Sequence, residues 1–209
     1  MKALISTFSI LFLFFLAYPL FAQKGHWEVG LNGGVNISSA VGFKDNRSNW
    51  AAKAMISPQL GFSVGYKFND WYTFRTGINL EVKGFRDSGW INTFSRSYKG
   101  TKQFADGFVS IPFLNEFHFF NDHLIAVVGF DASYGFDWLE VCCTAGERRN
   151  TGFIGGIGTQ FNLGKRLNWR LDAKFNRGLT GWRYNEDGFT LNGLKTFNIS
   201  TGLIRTLKK

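Results

Sequence analysis

Cysteine, proline and histidine are scarce in this 209-residue chain, at 2, 3 and 3 residues. The two cysteines, Cys142 and Cys143, are adjacent. They are either a strained bridge formed in an oxidising compartment or two loop thiols, and they make no metal site. Acidic residues number 15 against 24 Lys and Arg, a net charge of +9. The cations are scattered, with no basic helix or clustered stripe, so no nucleic-acid partner is expected. Beyond the N-terminal region no apolar run is long enough for a transmembrane helix. A chain of this kind enters a membrane only as a closed barrel, because backbone groups in lipid must be paired within the protein.

The N-terminus differs from the rest. Lys2 is followed by an almost wholly apolar run from Ala3 to Phe21, then by the small residue Ala22 before Gln23. Positive, apolar, small is the order of a cleavable export signal. Residues 1–22 are therefore expected to be a signal peptide and residues 23–209 the mature domain. An uncleaved anchor is the alternative, since the run approaches the ~20 residues that span a bilayer. No cysteine follows the small residue, which argues against a lipoprotein. What is abundant is aromatic: 18% of the chain, with 24 Phe, beside 25 Gly. Soluble cores do not normally need so many phenylalanines, whereas a lipid-facing surface can use them.

The mature region repeats a period-2 alternation, the mark of a strand with two different faces. One parity carries Trp27, Val29, Leu31, Val35 and Ile37, then Leu60, Phe62, Val64, Tyr66 and Phe68, then Tyr72, Phe74, Ile78, Leu80 and Val82. It continues with Val109, Ile111, Phe113, Phe117 and Phe119, then Leu124, Val128, Phe130, Tyr134, Phe136 and Trp138. Phe153, Ile157 and Phe161, then Leu167, Trp169, Leu171 and Phe175, and lastly Phe197, Ile199, Leu203 and Leu207 complete it. The other parity is glycine, asparagine, serine and ionised groups. The expected fold is all-β, an eight-stranded antiparallel up-and-down transmembrane β-barrel. Expected connections alternate long or medium (long at 38–57, 86–107 and 180–195, medium at 139–150) with short (Asn69-Asp70, Asn121-Asp122-His123, Gly164-Lys165-Arg166). Short periplasmic turns and long outer loops are the habit of outer-membrane barrels.

An eight-strand interior can hardly hold large aromatics from every strand, so the apolar parity is expected to face lipid. On that reading Trp27, Tyr66, Phe68, Tyr72, Phe119 and Trp169 form a periplasmic aromatic girdle. Tyr134, Phe136, Trp138 and Phe153 form an outer one. The lumen collects Glu28, Glu81, Glu116, Asp131, Asp137 and Asp172 with Lys67, Arg75, Lys83, Arg170 and Lys174. Enclosed charges must be paired, so these are expected to be an ion-pair network that fills the lumen rather than a pore or a paired-carboxylate site. No catalytic residue, cofactor or metal ligand is assigned. His26 and His123 fall at the periplasmic end and His118 points inward near it, so none stands beside a serine at the outer rim as a lipid-modifying enzyme would need. Gly155-Gly-Ile-Gly158 lies within a strand and makes room for lumen neighbours rather than binding phosphate. Pro112 removes a ladder bond, so a bulge is expected there, and the same bulge would accommodate Asn115 on the lipid parity. Arg177, also on that parity, should snorkel to the outer interface.

Glu28-Val-Gly-Leu-Asn-Gly-Gly-Val-Asn-Ile37, Gln59-Leu-Gly-Phe-Ser-Val-Gly-Tyr66, Val109-Ser-Ile-Pro-Phe-Leu114 and Arg177-Gly-Leu179 resemble the PorT-like family of outer-membrane β-barrel proteins. The resemblance implies an outer-membrane barrel and, through the family's founding member, a link to protein secretion. The chain departs from many barrels in ending Arg205-Thr-Leu-Lys-Lys209, without a terminal aromatic. The expected function is a non-enzymatic outer-membrane barrel acting structurally or through loops that carry Trp50, Trp90, Phe94, Tyr98, Trp182 and Tyr184. Its expected partners are outer-membrane lipid and lipopolysaccharide, with secretion-complex or surface proteins as a further class. Two alternatives are an accessory component of a secretion machine and a soluble lipocalin-like small-molecule binder.

Overall fold

The computed structural model describes residues 25–40, 51–92, 97–136, 149–179, 182–184, 189–191 and 193–207. Residues 1–22, both cysteines, Trp50, Phe94, Asp137 and Trp138 lie outside them. The strands are β1 (His26–Ala40), β2 (Ala51–Asn69), β3 (Tyr72–Asn92), β4 (Ser97–Phe119), β5 (Leu124–Phe136), β6 (Arg149–Asn162), β7 (Leu167–Gly178), β8 (Trp182–Tyr184), β9 (Phe189–Leu191) and β10 (Leu194–Leu207). Eight close into one barrel in the order β1-β10-β7-β6-β5-β4-β3-β2, and β8–β9 form a separate two-stranded hairpin. Every neighbouring pair is antiparallel, and β10 closes on β1 from Trp27↔Leu207 to Ala40↔Leu194. Closure leaves no edge.

The period-2 pattern dictates the wall. On β10, Phe197, Ile199 and Leu203 point out while Thr196, Asn198 and Ser200 are buried. The same division holds on β1, where Leu31 is 65% exposed and Glu28 2%. Leu60, Phe62, Ile78, Leu80, Val128, Phe130 and Ile157 continue the exposed apolar belt across β2, β3, β5 and β6. A soluble binder would turn that parity inward, so the lipocalin-like alternative is set aside. A belt of this extent is stable only against hydrocarbon.

Three expectations about the strands need correction. Residues 86–107 are not a loop: the β3–β4 ladder runs on without register change from Arg86↔Gln103 to Asn92↔Ser97. The alternation fades there, although the backbone pairing persists. Residues 180–195 likewise contain the β8–β9 hairpin. Pro112 causes no bulge. Thr76↔Phe113 and Asn79↔Ser110 flank an interruption in the β3–β4 ladder, but the register on either side is the same. The pairing of β4 to β5 passes through Pro112↔Asp131 unbroken. The missing donor is absorbed by local loss of pairing opposite Gly77, where an added Cβ would lie 2.2 Å from the Phe62 carbonyl oxygen of β2. Register shifts occur instead on β2, between Ala54 and Gln59, a segment that contains Pro58, and between Lys67 and Asn69 beside the turn. Asn115 therefore needs another explanation, and Tyr72 Oη provides it by donating to Asn115 Oδ1 at 2.8 Å.

Phe130 stands on the outer face midway along β5 and is 53% exposed. Phe130→Arg is expected to destabilise the barrel by about 2–4 kcal/mol in a bilayer, the cost of a cation near the midplane. Reversible denaturant unfolding in phospholipid vesicles measures it; an unchanged midpoint would place Phe130 outside hydrocarbon.

Candidate functional site

The interior is built in tiers from inward-facing positions. Nearest the short turns, a chain of charges crosses the lumen. His26 Nε2 lies 3.5 Å from Glu28 Oε1, and Arg75 Nη2 donates to Glu28 Oε2 at 2.7 Å. Arg75 Nε donates to Glu116 Oε1 at 3.0 Å, and Arg170 Nη1 donates to Glu116 Oε2 at 2.9 Å. Arg170 Nε also donates to Asp172 Oδ1 at 2.9 Å, and Lys174 Nζ stands 3.6 Å from Asp172 Oδ2. Four strands, β1, β3, β4 and β7, are thus tied across the lumen. Glu116 is fully buried between two guanidiniums.

A second tier lies toward the loops. Lys83 Nζ, 1% exposed, sits 2.6 Å from Glu81 Oε1 and 3.6 Å from Asp131 Oδ2. Asn36 Nδ2 donates to Glu81 Oε2 at 3.1 Å, and Ser110 Oγ donates to Glu81 Oε1. Ser133 Oγ and Asn176 Nδ2 donate to Asp131 at 2.7 and 2.8 Å. Lys83 also stands over the Phe108 ring, 5.6 Å from its centroid.

The lumen is less uniformly polar than the alternation suggests. Leu114, Ile125 and Val127 form a buried apolar cluster with Ile154, and Met55, Phe85, Phe108, Leu194 and Ile204 are buried as well. The sequence signal was present: Ile125 and Val127 share a parity with Asp131, and Leu114 shares one with Glu116. A cavity of about 40 Å³ remains between Gly30, Asn32, Asn79, Leu114, Asp172 and Lys174. It has room for a few waters at ~10–15 Å³ each.

The β4–β5 turn seals the short-turn end. Phe120, Asn121 and Asp122 all adopt left-handed backbone conformations, with φ of 52°, 54° and 70°. Asn and Asp tolerate that region, whereas Phe rarely enters it. The curl brings the Asp122 carboxylate to Lys67 Nζ at 3.0 Å and to His118 Nδ1 at 2.7 Å. The Gln160 amide donates to the Asp122 carbonyl at 3.0 Å, which pins the turn to β6. Partial burial alone would raise the Asp122 pKa, but hydrogen bonds and charge from His118 and Lys67 outweigh it and hold it at about 2.

The outer face near this end carries a run of touching rings. Trp27 meets Tyr66 at 5.0 Å, Tyr66 meets Phe68 at 4.7 Å, and Phe68 stacks on Tyr72 at 5.4 Å. Trp71 and Phe117, which the sequence reading did not assign to the girdle, extend the run. Phe161, also unassigned, stacks on Trp169 at 5.6 Å, and Phe119 is exposed. Toward the loops Tyr134 and Phe153 are exposed, while Phe136 is half-buried.

A closed eight-strand barrel, apolar outside and filled with paired charges inside, defines a small outer-membrane barrel protein. The chain belongs to the family described as outer membrane protein beta-barrel domain, which residues 21–139 match. Its location is the outer membrane. No protein of curated function matches the chain in sequence. Among solved structures it is similar to the outer membrane protein OprG from Pseudomonas aeruginosa, at 11% identity over 90% of this chain and 99% of that one, TM-score 0.54. It is also similar to Neisserial surface protein A, at 12% identity over 88% and 99%, TM-score 0.48. The likeness to Ail of Yersinia pestis, solved with the heparin analogue sucrose octasulfate, is 13% identical over 87% and 99%, TM-score 0.46.

Glu116→Ala leaves Arg75 and Arg170 buried without their shared carboxylate. It is expected to cost about 3–5 kcal/mol, read as a fall in the urea midpoint of the refolded barrel. Asp122 has a lowered folded pKa, so its contribution is present above its unfolded value of ~4 and is lost as pH falls through about 2. Asp122→Asn should therefore flatten part of the stability loss between those pH values. Identical acid profiles for variant and wild type would contradict the role assigned to the turn.

Proposed function

We propose that this protein is a non-enzymatic, non-conducting outer-membrane barrel whose work is done by its lipid-facing wall and outer loops. The carrying observation is the filled lumen: the charges that cross it are paired, and the space left among them is of water size. A solute path would require breaking buried ion pairs, each worth several kcal/mol once one partner is lost. The reading against catalysis has a local basis. His118, the buried histidine, bonds the Asp122 carboxylate rather than a serine, threonine or cysteine. Lipid and lipopolysaccharide are the partners that the belt and its flanking cations suit. The secretion-accessory reading rests on the PorT-like motifs and draws no further support from wall or lumen.

Single-channel recording in planar bilayers tests the closed lumen. Wild type is expected to give no resolved conductance steps, while combined Arg75→Ala, Glu116→Ala and Arg170→Ala, if the barrel still folds, should give them. Regular openings by wild type would overturn the proposal.

A further inference from the structure

Cations inside the barrel have carboxylates at hand; two pairs at the loop end of the wall have none among the described residues. Register sets Arg177 of β7 directly opposite Lys195 of β10, and Lys53 of β2 directly opposite Arg86 of β3. All four side chains are exposed. Directly opposed residues have Cβ atoms ~5 Å apart, and like charges so placed repel. No other cross-strand pairing among the described residues sets one Lys or Arg against another, and the exposed cations at the short-turn end, Lys165, Arg166 and Arg205, are not paired with one another.

The Arg177–Lys195 pair has a further feature. Two residues toward the membrane on the same face, Phe175 opposes Phe197, and Arg177 is flanked on β6 by Phe153. These rings are 45%, 40% and 62% exposed. Gly178 ends β7 just beyond Arg177, and Leu194 begins β10 just before Lys195. An apolar ledge thus gives way, within one step of the ladder, to a doublet of positive charge at the outer end of the wall. A ligand that fits both parts has acyl chains below and an anion above. A planar guanidinium beside an ammonium suits a phosphate, which accepts charge-assisted hydrogen bonds from both.

We infer that Arg177 and Lys195 form a binding site for the phosphate of an outer-leaflet glycolipid whose acyl chains lie on Phe153, Phe175 and Phe197. The inference rests on the membrane reading above. Bound phosphate relieves the repulsion across the β7–β10 pairing, so lipid and barrel stabilise each other.

Native mass spectrometry of the full-length protein in detergent micelles, titrated with bis-phosphorylated lipid A, tests the site. Wild type should retain the lipid, and phosphatase-treated lipid A should be retained far less. Arg177→Gln with Lys195→Gln should weaken retention about tenfold to thirtyfold, as expected for two surface cations. Lys165→Gln with Arg166→Gln removes the same charge from the other end and should leave retention unchanged. Equal losses in both double variants, no loss in the first, or full retention of dephosphorylated lipid would each overturn the site. Heat-modifiable gel mobility on the same samples reports barrel formation separately: a folded barrel without lipid selectivity refutes the site, and an absent barrel refutes the membrane reading.

Discussion

In hydrocarbon a backbone N–H or C=O has no water to bond, and each unpaired group costs several kcal/mol. That constraint shapes most of this molecule. Without a transmembrane helix among the described residues, the remaining solution is a sheet whose last strand pairs with its first, as β10 does with β1 over fourteen residues of β1. Closure then forces every strand to present one face to lipid and one to an enclosed interior. The alternation is the consequence of that division and the source of both surfaces.

Closure creates a second problem, because eight strands enclose too little space for bulk water and too much for glycine alone. The interior answers with long charged side chains that reach across it. Glu116 holds two arginines, one from β3 and one from β7, and Arg75 passes the connection on to Glu28 of β1. These pairs offset their own desolvation and also bind opposite walls together, so filling and cross-bracing are one arrangement. Inward glycines are its counterpart: a Cβ at Gly34 would fall 2.2 Å from the Ile199 carbonyl oxygen, so a larger residue there would push the β1–β10 pairing apart.

How much of this is legible in the sequence depends on how many solvents a segment meets. Where a strand has lipid on one side and lumen on the other, as at Leu60 to Phe68 or Leu167 to Phe175, two-residue alternation gives the faces directly. At 86–107 the pattern vanishes while the backbone pairing continues from Arg86↔Gln103 to Asn92↔Ser97. The charged lumen positions could be read from parity, but which acid meets which base could not, because those contacts join strands distant in sequence. Apolar lumen residues such as Ile125, Val127 and Phe108 were obscured by treating the enclosed parity as wholly polar. Proline marked irregular pairing without specifying its form: Pro58 lies in a register shift, whereas Pro112 breaks the ladder and keeps the register.

The two ends of the barrel are finished differently. At the short-turn end the chain closes on itself: three left-handed residues turn Asp122 inward onto Lys67 and His118, and aromatic rings pack in a run around the rim. The buried charges there, Lys67 and His118 with Asp122, find partners within the protein. At the loop end Lys83, Glu81 and Asp131 are satisfied inside, while the cations on the outer wall face one another. Among the described residues, the enclosed charges are paired while Arg177 and Lys195 stand opposed on the outer rim without a carboxylate. In a membrane, the phosphates of lipid headgroups supply fixed negative charge at that height.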